Sequence, residues 1–88
     1  MNPTTGIKVY GADWCEDTQR TREQLDELKL PYEYINVDHD KAAEAWIKEK
    51  NNGKRKTPTV DLGGGKILIE PTNEQMVGAL TALGSLPR

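Results

Sequence analysis

Ile7-Lys8-Val9-Tyr10-Gly11-Ala12-Asp13-Trp14-Cys15-Glu16-Asp17-Thr18 alternates apolar and polar residues, breaks at a small polar turn, and then opens a run free of helix breakers. The first four residues are β-favouring types in strict alternation and predict a strand over residues 7–10, ended by the turn chemistry of Gly11, Ala12 and Asp13. Between Cys15 and Lys29 there is neither Gly nor Pro. Thr18, Thr21, Leu25 and Leu28 recur there at steps of three and four, marking one face of a helix over residues 15–29 that Pro31 stops. The one cysteine of the chain therefore stands where a helix leaves the end of a strand.

That position matters more than the residue itself. At a helix N-terminus a sulfur can accept hydrogen bonds from unpaired first-turn amides, here those of Asp17 and Thr18, and it feels the positive end of the helix dipole. Such sites lower a thiol pKa from about 8.5 to roughly 3.5–7.5. Glu16 and Asp17 oppose the effect, but a solvated charge about 6 Å away costs well under 1 kcal/mol, roughly half a pKa unit, so the amides are expected to prevail. Asp13-Trp14-Cys15-Glu16 also fits a capping box, which would move Cys15 one step into the helix. The plain alternative for Cys15 is a small buried hydrophobe.

Outward from this junction, Tyr32-Glu33-Tyr34-Ile35-Asn36-Val37 reads as a second strand. Asp38-His39-Asp40 supplies a turn and candidate N-caps for a helix over residues 41–51, with Ala42, Ala43, Trp46 and Ile47 as its apolar positions and Asn52-Gly53 as its stop. Thr59-Val60-Asp61-Leu62 and Lys66-Ile67-Leu68-Ile69 flank three glycines and form an antiparallel hairpin. Thr72-Asn73-Glu74-Gln75 matches a capping box for a last helix whose face is set by Met76, Val77, Leu80 and Leu83. The order is βαβ followed by ββα. A strand-helix-strand crossover demands parallel strands and a hairpin antiparallel ones, so the fold class is α/β with a four-stranded mixed sheet. Helices cover both faces, the first and third on one side and the second on the other.

Composition limits what such a domain can do. The 88 residues support a single domain, residues 1–88, with its core over about 6–83. The net charge of −2 comes from intermixed acids and bases, which disfavours nucleic acid and anionic membranes as partners. No apolar run approaches the roughly 20 residues of a spanning helix, and residues 1–5 do not read as a signal peptide. One cysteine in a domain of this size fits a reducing compartment, so the expected location is the cytoplasm. Any disulfide formed by Cys15 is then with another molecule.

One Cys and one His fall short of a zinc ligand set, so no metal is expected. His39 lies between two aspartates in a capping turn, where capping is a better account than general base catalysis. Gly63-Gly64-Gly65 lacks the following Lys-Ser/Thr of a phosphate loop and enters a strand.

Lys56-Thr57-Pro58-Thr59 is the second informative element, because a proline directly before a strand removes a ladder donor. The base rate for a cis X-Pro bond in folded proteins is only about 5–6%. Yet an aromatic-Cys-x-x-Thr after strand one, Thr-Pro before strand three and the βαβ-ββα order together resemble the glutaredoxin family of the thioredoxin fold. The resemblance runs from about residue 7 to residue 83. It implies that Pro58 is cis and lies beside Cys15, and that the Thr57 backbone pairs with the peptide of a substrate disulfide.

The departures from the family pattern are equally informative. The second cysteine of the family's Cys-x-x-Cys is Thr18, which rules out a dithiol cycle, and the Cys-Gly-Phe-Ser form associated with iron–sulfur clusters is absent. A tryptophan before the cysteine resembles thioredoxins. After strand four, where glutathione-binding relatives commonly have Gly-Gly and an acidic pair, this chain has Glu70-Pro71-Thr72-Asn73, a region that resembles mycoredoxin-like proteins, which use a different small thiol. The capped start of the last helix still offers amides to a carboxylate.

The function implied is that of a monothiol thiol-disulfide oxidoreductase of the cytoplasm, carrying electrons between thiols as a monomer. Cys15 is its catalytic residue, and Trp14, Thr18, Lys56, Thr57, Pro58, Thr72 and Asn73 line the substrate site. Trp14 shapes a substrate surface or packs over the loop; Thr18 bonds the thiolate or merely faces inward. No cofactor is bound; glutathione or another small thiol is the co-substrate, and protein mixed disulfides are the partners. The alternative is a non-catalytic redox-sensing or partner-binding module of the same fold.

Overall fold

Alternation along the first strand puts Ile7 and Val9 on one side and Lys8 and Tyr10 on the other, and each side meets its own layer of helix. The computed structural model describes residues 6–84. Its elements are β1 (Ile7–Gly11), α1 (Glu16–Glu27), β2 (Tyr32–Asn36), a 3₁₀ turn (Val37–His39), α2 (Lys41–Lys50), β3 (Thr59–Asp61), β4 (Ile67–Ile69) and α3 (Asn73–Ala82). The sheet order is β2-β1-β3-β4, with β1 and β2 parallel and the other two pairs antiparallel.

On one face Ile7, Val9, Val60 and Leu62 pack against Leu25 of α1 and against Met76 and Leu80 of α3. On the other, Val37, Ala43 and Ile47 form a smaller cluster with Tyr10, Ile35 and Trp46. There the rings of Tyr10 and Trp46 stack with centroids 4.5 Å apart. Full burial of each large apolar side chain contributes about 1.5–3 kcal/mol, so these two clusters hold the layers together.

Local signals agree with the layers. Asp40 caps α2 by accepting from the Ala43 amide at 3.0 Å. The capping box at α3 is complete in both directions between Thr72 and Gln75. Gly63, Gly64 and Gly65 all take positive φ in the β3–β4 connection, a run that side chains would strain.

The apolar face of α3 is narrower than its sequence pattern predicts. Met76 and Leu80 are buried, but Val77 and Leu83 are 43% and 47% exposed. Val77 is turned by about 100° from Met76, off the line that meets the sheet. Leu83 is the C-cap, beyond the last turn of the helix. Ala42 is likewise exposed, leaving Ala43 and Ile47 as the buried pair of α2. Val37, read as the end of a strand, instead opens the 3₁₀ turn and is buried under α2.

Register brings the loops together. Parallel pairing sets Gly11 beside Asn36, so the segments after β1 and β2 leave from one end of the sheet. Antiparallel pairing sets Tyr10 beside Thr59 and Thr59 beside Ile69, so Pro58 enters and Glu70 leaves at that same end.

Candidate functional site

Cys15 is the N-cap of α1, with extended backbone and its own amide donating to the Ala12 carbonyl at 3.1 Å. The alternative capping box from Asp13 does not form. The Asp13 carboxylate instead accepts from the Tyr34 hydroxyl at 2.8 Å, and its carbonyl accepts from the Gln19 side chain at 2.7 Å. Both contacts hold the turn that carries the cysteine.

Thr18 is fully buried one turn into α1, where its hydroxyl oxygen accepts from the Ala12 amide at 3.4 Å. It sits directly on Gly11: a Cβ there would lie 2.5 Å from Thr18 Cγ2 and 2.6 Å from its Oγ1. Gly11 thus ends the strand with a floor on which the helix rests, a role its reading as a turn residue missed.

Thr57 closes the site from the other side. Its hydroxyl donates to Cys15 Sγ at 3.5 Å, and the thiol donates to its carbonyl at 3.6 Å. The Thr57–Pro58 peptide is cis, and Pro58 is buried. Partial burial is the largest single influence on the thiol and pushes its pKa up. The hydroxyls of Thr18 and Thr57 and the amides of Thr18 and Asp17 favour the thiolate and together outweigh it, so the net shift is downward. No one of the first-turn amides closes a formal capping bond to the sulfur, so the effect is a sum of weak polar contacts.

The rim is organised around Asp38 and Arg55, which the sequence did not single out as site residues. Trp14 is 72% exposed, and its indole N–H donates to Asp38 at 2.9 Å. Arg55 bonds the other oxygen of Asp38 and reaches Glu44 at 3.1 Å. Lys56 faces Glu70 at 3.8 Å. Of the three consecutive cations Lys54, Arg55 and Lys56, the last two are therefore engaged with carboxylates of the chain itself. The register of β1 with β2 is the signal that would have found Asp38, because residues just past paired strand ends are neighbours.

Thr72 and Asn73 make their hydrogen bonds within α3 and to α1. Thr72 is taken up by the capping box, and the Asn73 carbonyl accepts from Gln24 at 2.9 Å, so α1 ties to the start of α3. Arg20 adds to this tie by reaching the Pro71 carbonyl at 3.3 Å. His39 lies exposed at the end of the 3₁₀ turn. Among the described residues no group of three or more His, Cys, Asp or Glu side chains could hold a metal ion, and no helix is long and apolar enough to cross a membrane.

Residues 7–67 match the family model for glutaredoxin. The chain belongs to the glutaredoxin family. Among relatives, mycoredoxin 1 of Corynebacterium glutamicum is 30% identical over 79 residues, covering 90% of this chain and 98% of that protein. The glutaredoxin-like NrdH-redoxin of Escherichia coli, described with a thioredoxin-like activity profile, superposes with a TM-score of 0.72 at 23% identity, covering 84% of this chain and 92% of the other. A buckwheat glutaredoxin solved with glutathione gives a TM-score of 0.68 at 23% identity, covering 92% and 81%. The mixed sheet with three helices is thus the thioredoxin-like glutaredoxin fold. As a glutaredoxin, the protein belongs to a family of redox proteins that exchange protein disulfides with small thiols. The family match stops before Glu70-Pro71-Thr72-Asn73.

Proposed function

We propose that the chain is a monothiol oxidoreductase that reduces mixed disulfides between proteins and a small thiol through Cys15. The observation that carries this reading is the set of hydroxyl and amide donors that hold the Cys15 thiol below its ordinary pKa, with Thr18 in place of a second thiol. The Cys15 thiolate attacks the small-thiol sulfur of the mixed disulfide. The S–S bond breaks, the electron pair leaves on the protein sulfur, and that sulfur takes a proton. Cys15 is left disulfide-bonded to the small thiol. A second small thiolate attacks the outer sulfur, leaving the oxidised small-molecule disulfide and the free Cys15 thiolate.

Thr57 and the cis-Pro58 edge support an orienting role for the incoming disulfide, and Trp14 gives it an apolar wall. Lys56, Thr72 and Asn73 complete the substrate side. The protein acts as one domain and as a monomer, in the reducing cytoplasm, with glutathione or another small thiol as co-substrate.

The test supplies a glutathionylated or mycothiolated peptide with excess of the matching thiol. Catalytic release of the peptide thiol, lost in Cys15→Ser, is expected. Stoichiometric labelling of Cys15 without turnover in either thiol would instead leave a redox-sensing module.

A further inference from the structure

Glu70 follows β4 with a φ of +49°, in the left-handed region that favours glycine. Two contacts tie it to the cysteine's opposite wall. Its amide donates to the Pro58 carbonyl at 2.8 Å, and its carboxylate lies 3.8 Å from the Lys56 ammonium, one residue before Thr57. Of the neighbouring cations, Arg55 is already bonded to Asp38 and Glu44, while Lys54 is tied to Asn51 through its backbone alone. On the cysteine's own side stand Asp13, Glu16 and Asp17, with only Asp17 matched by an arginine, Arg20 at 2.7 Å. The two cations that immediately precede Thr57, Arg55 and Lys56, are therefore both held by carboxylates of the chain, and the cysteine's side carries excess negative charge.

We propose that Glu70 is a specificity residue: by occupying Lys56 it selects small thiols without carboxylates over anionic peptide thiols. This rests on the reading of Cys15 as a centre of small-thiol exchange. An exposed ion pair of this kind is worth little in stability, but a charge that competes for the same lysine acts on each encounter.

The experiment uses the full chain with Cys15 converted to its mixed disulfide with 2-mercaptoethanol. Resolution by glutathione and by glutathione diethyl ester is followed in the wild type, in Glu70→Gln and in Glu70→Gln with Lys56→Gln. The ester differs by the loss of both carboxylates, and intrinsic differences between the two thiols cancel when their rate ratio is compared across variants. Glu70→Gln is expected to raise the glutathione-to-ester ratio about two- to fivefold, with the gain abolished by high salt and by Lys56→Gln. An unchanged ratio in Glu70→Gln overturns the assignment of Glu70 while leaving exchange at Cys15 intact. Failure of both thiols to resolve the disulfide in every variant overturns the exchange reading itself, and the specificity role with it.

Discussion

The indole N–H of Trp14 donates to one carboxylate oxygen of Asp38 at 2.9 Å while Arg55 holds the other, so an exposed ring beside the cysteine is anchored by two further loops. Arg55 first, and then Trp14, hold the Asp38 carboxyl below the usual carboxylate range. A carboxyl lowered in the folded state stabilises the anchor above its unfolded pKa, and the anchor is lost as pH falls through the lower folded value. The Trp14 indole ¹⁵N–¹H resonance is expected to shift with a midpoint below that of a free aspartate, and Asp38→Asn abolishes this titration. If the ring guides substrate, the same variant raises KM about threefold with kcat unchanged.

Thr18→Val keeps the shape of the side chain and removes its hydroxyl. One donor to the Cys15 sulfur is lost, and the Ala12 amide loses its acceptor. The Cys15 pKa rises, so the midpoint of alkylation rate against pH moves upward, and stability falls by about 1 kcal/mol in chemical denaturation. Cys15 gives a clean signal because no other thiol contributes. Thr57→Val moves the alkylation midpoint in the same direction.

Gly11→Ala forces a methyl into the space of Thr18 and is expected to destabilise the fold by about 1–3 kcal/mol. Combining it with Thr18→Ala vacates that space. The double variant should lose less than the sum of the two single losses in urea unfolding, and a purely additive result would mean that the two residues do not meet.

Burial first, and then the hydrogen bond to Asp13, push the Tyr34 phenol up to about 12. The raised value means that Tyr34 favours the folded state fully below the ordinary phenol pKa of about 10 and loses this effect as pH climbs through the folded value. Absorbance near 295 nm should show a late-titrating tyrosine that Tyr34→Phe removes, along with part of the alkaline loss of stability. Arg22, whose guanidinium lies 3.9 Å from the centre of the ring, opposes the shift.

The parts of the fold that rest on neighbours in sequence are legible in the sequence itself. Alternation at Ile7 to Tyr10 gave the two-faced strand, and Asp40 and Thr72 announced their helices because capping is decided within four residues. Cys15 was legible for the same reason, since its setting is the first turn of α1. What periodicity overstated was the width of the α3 face: Val77 and Leu83 match a helical repeat, but the sheet reaches only the Met76–Leu80 line. What it missed were contacts made across 24 residues, as from Trp14 to Asp38, or across 17, as from Arg55 to Asp38. These depend on strand register and on the return path of a loop, and an isolated Asp or Arg in a polar stretch carries no mark of either.

With a buried threonine one turn from Cys15 and no second thiol in these 88 residues, a mixed disulfide on this cysteine has no exit within the chain. Its lifetime is set from outside, by how often a free thiolate arrives. The fraction of molecules capped at any moment therefore falls as the surrounding thiol pool rises, a dependence that a single turn of helix builds in.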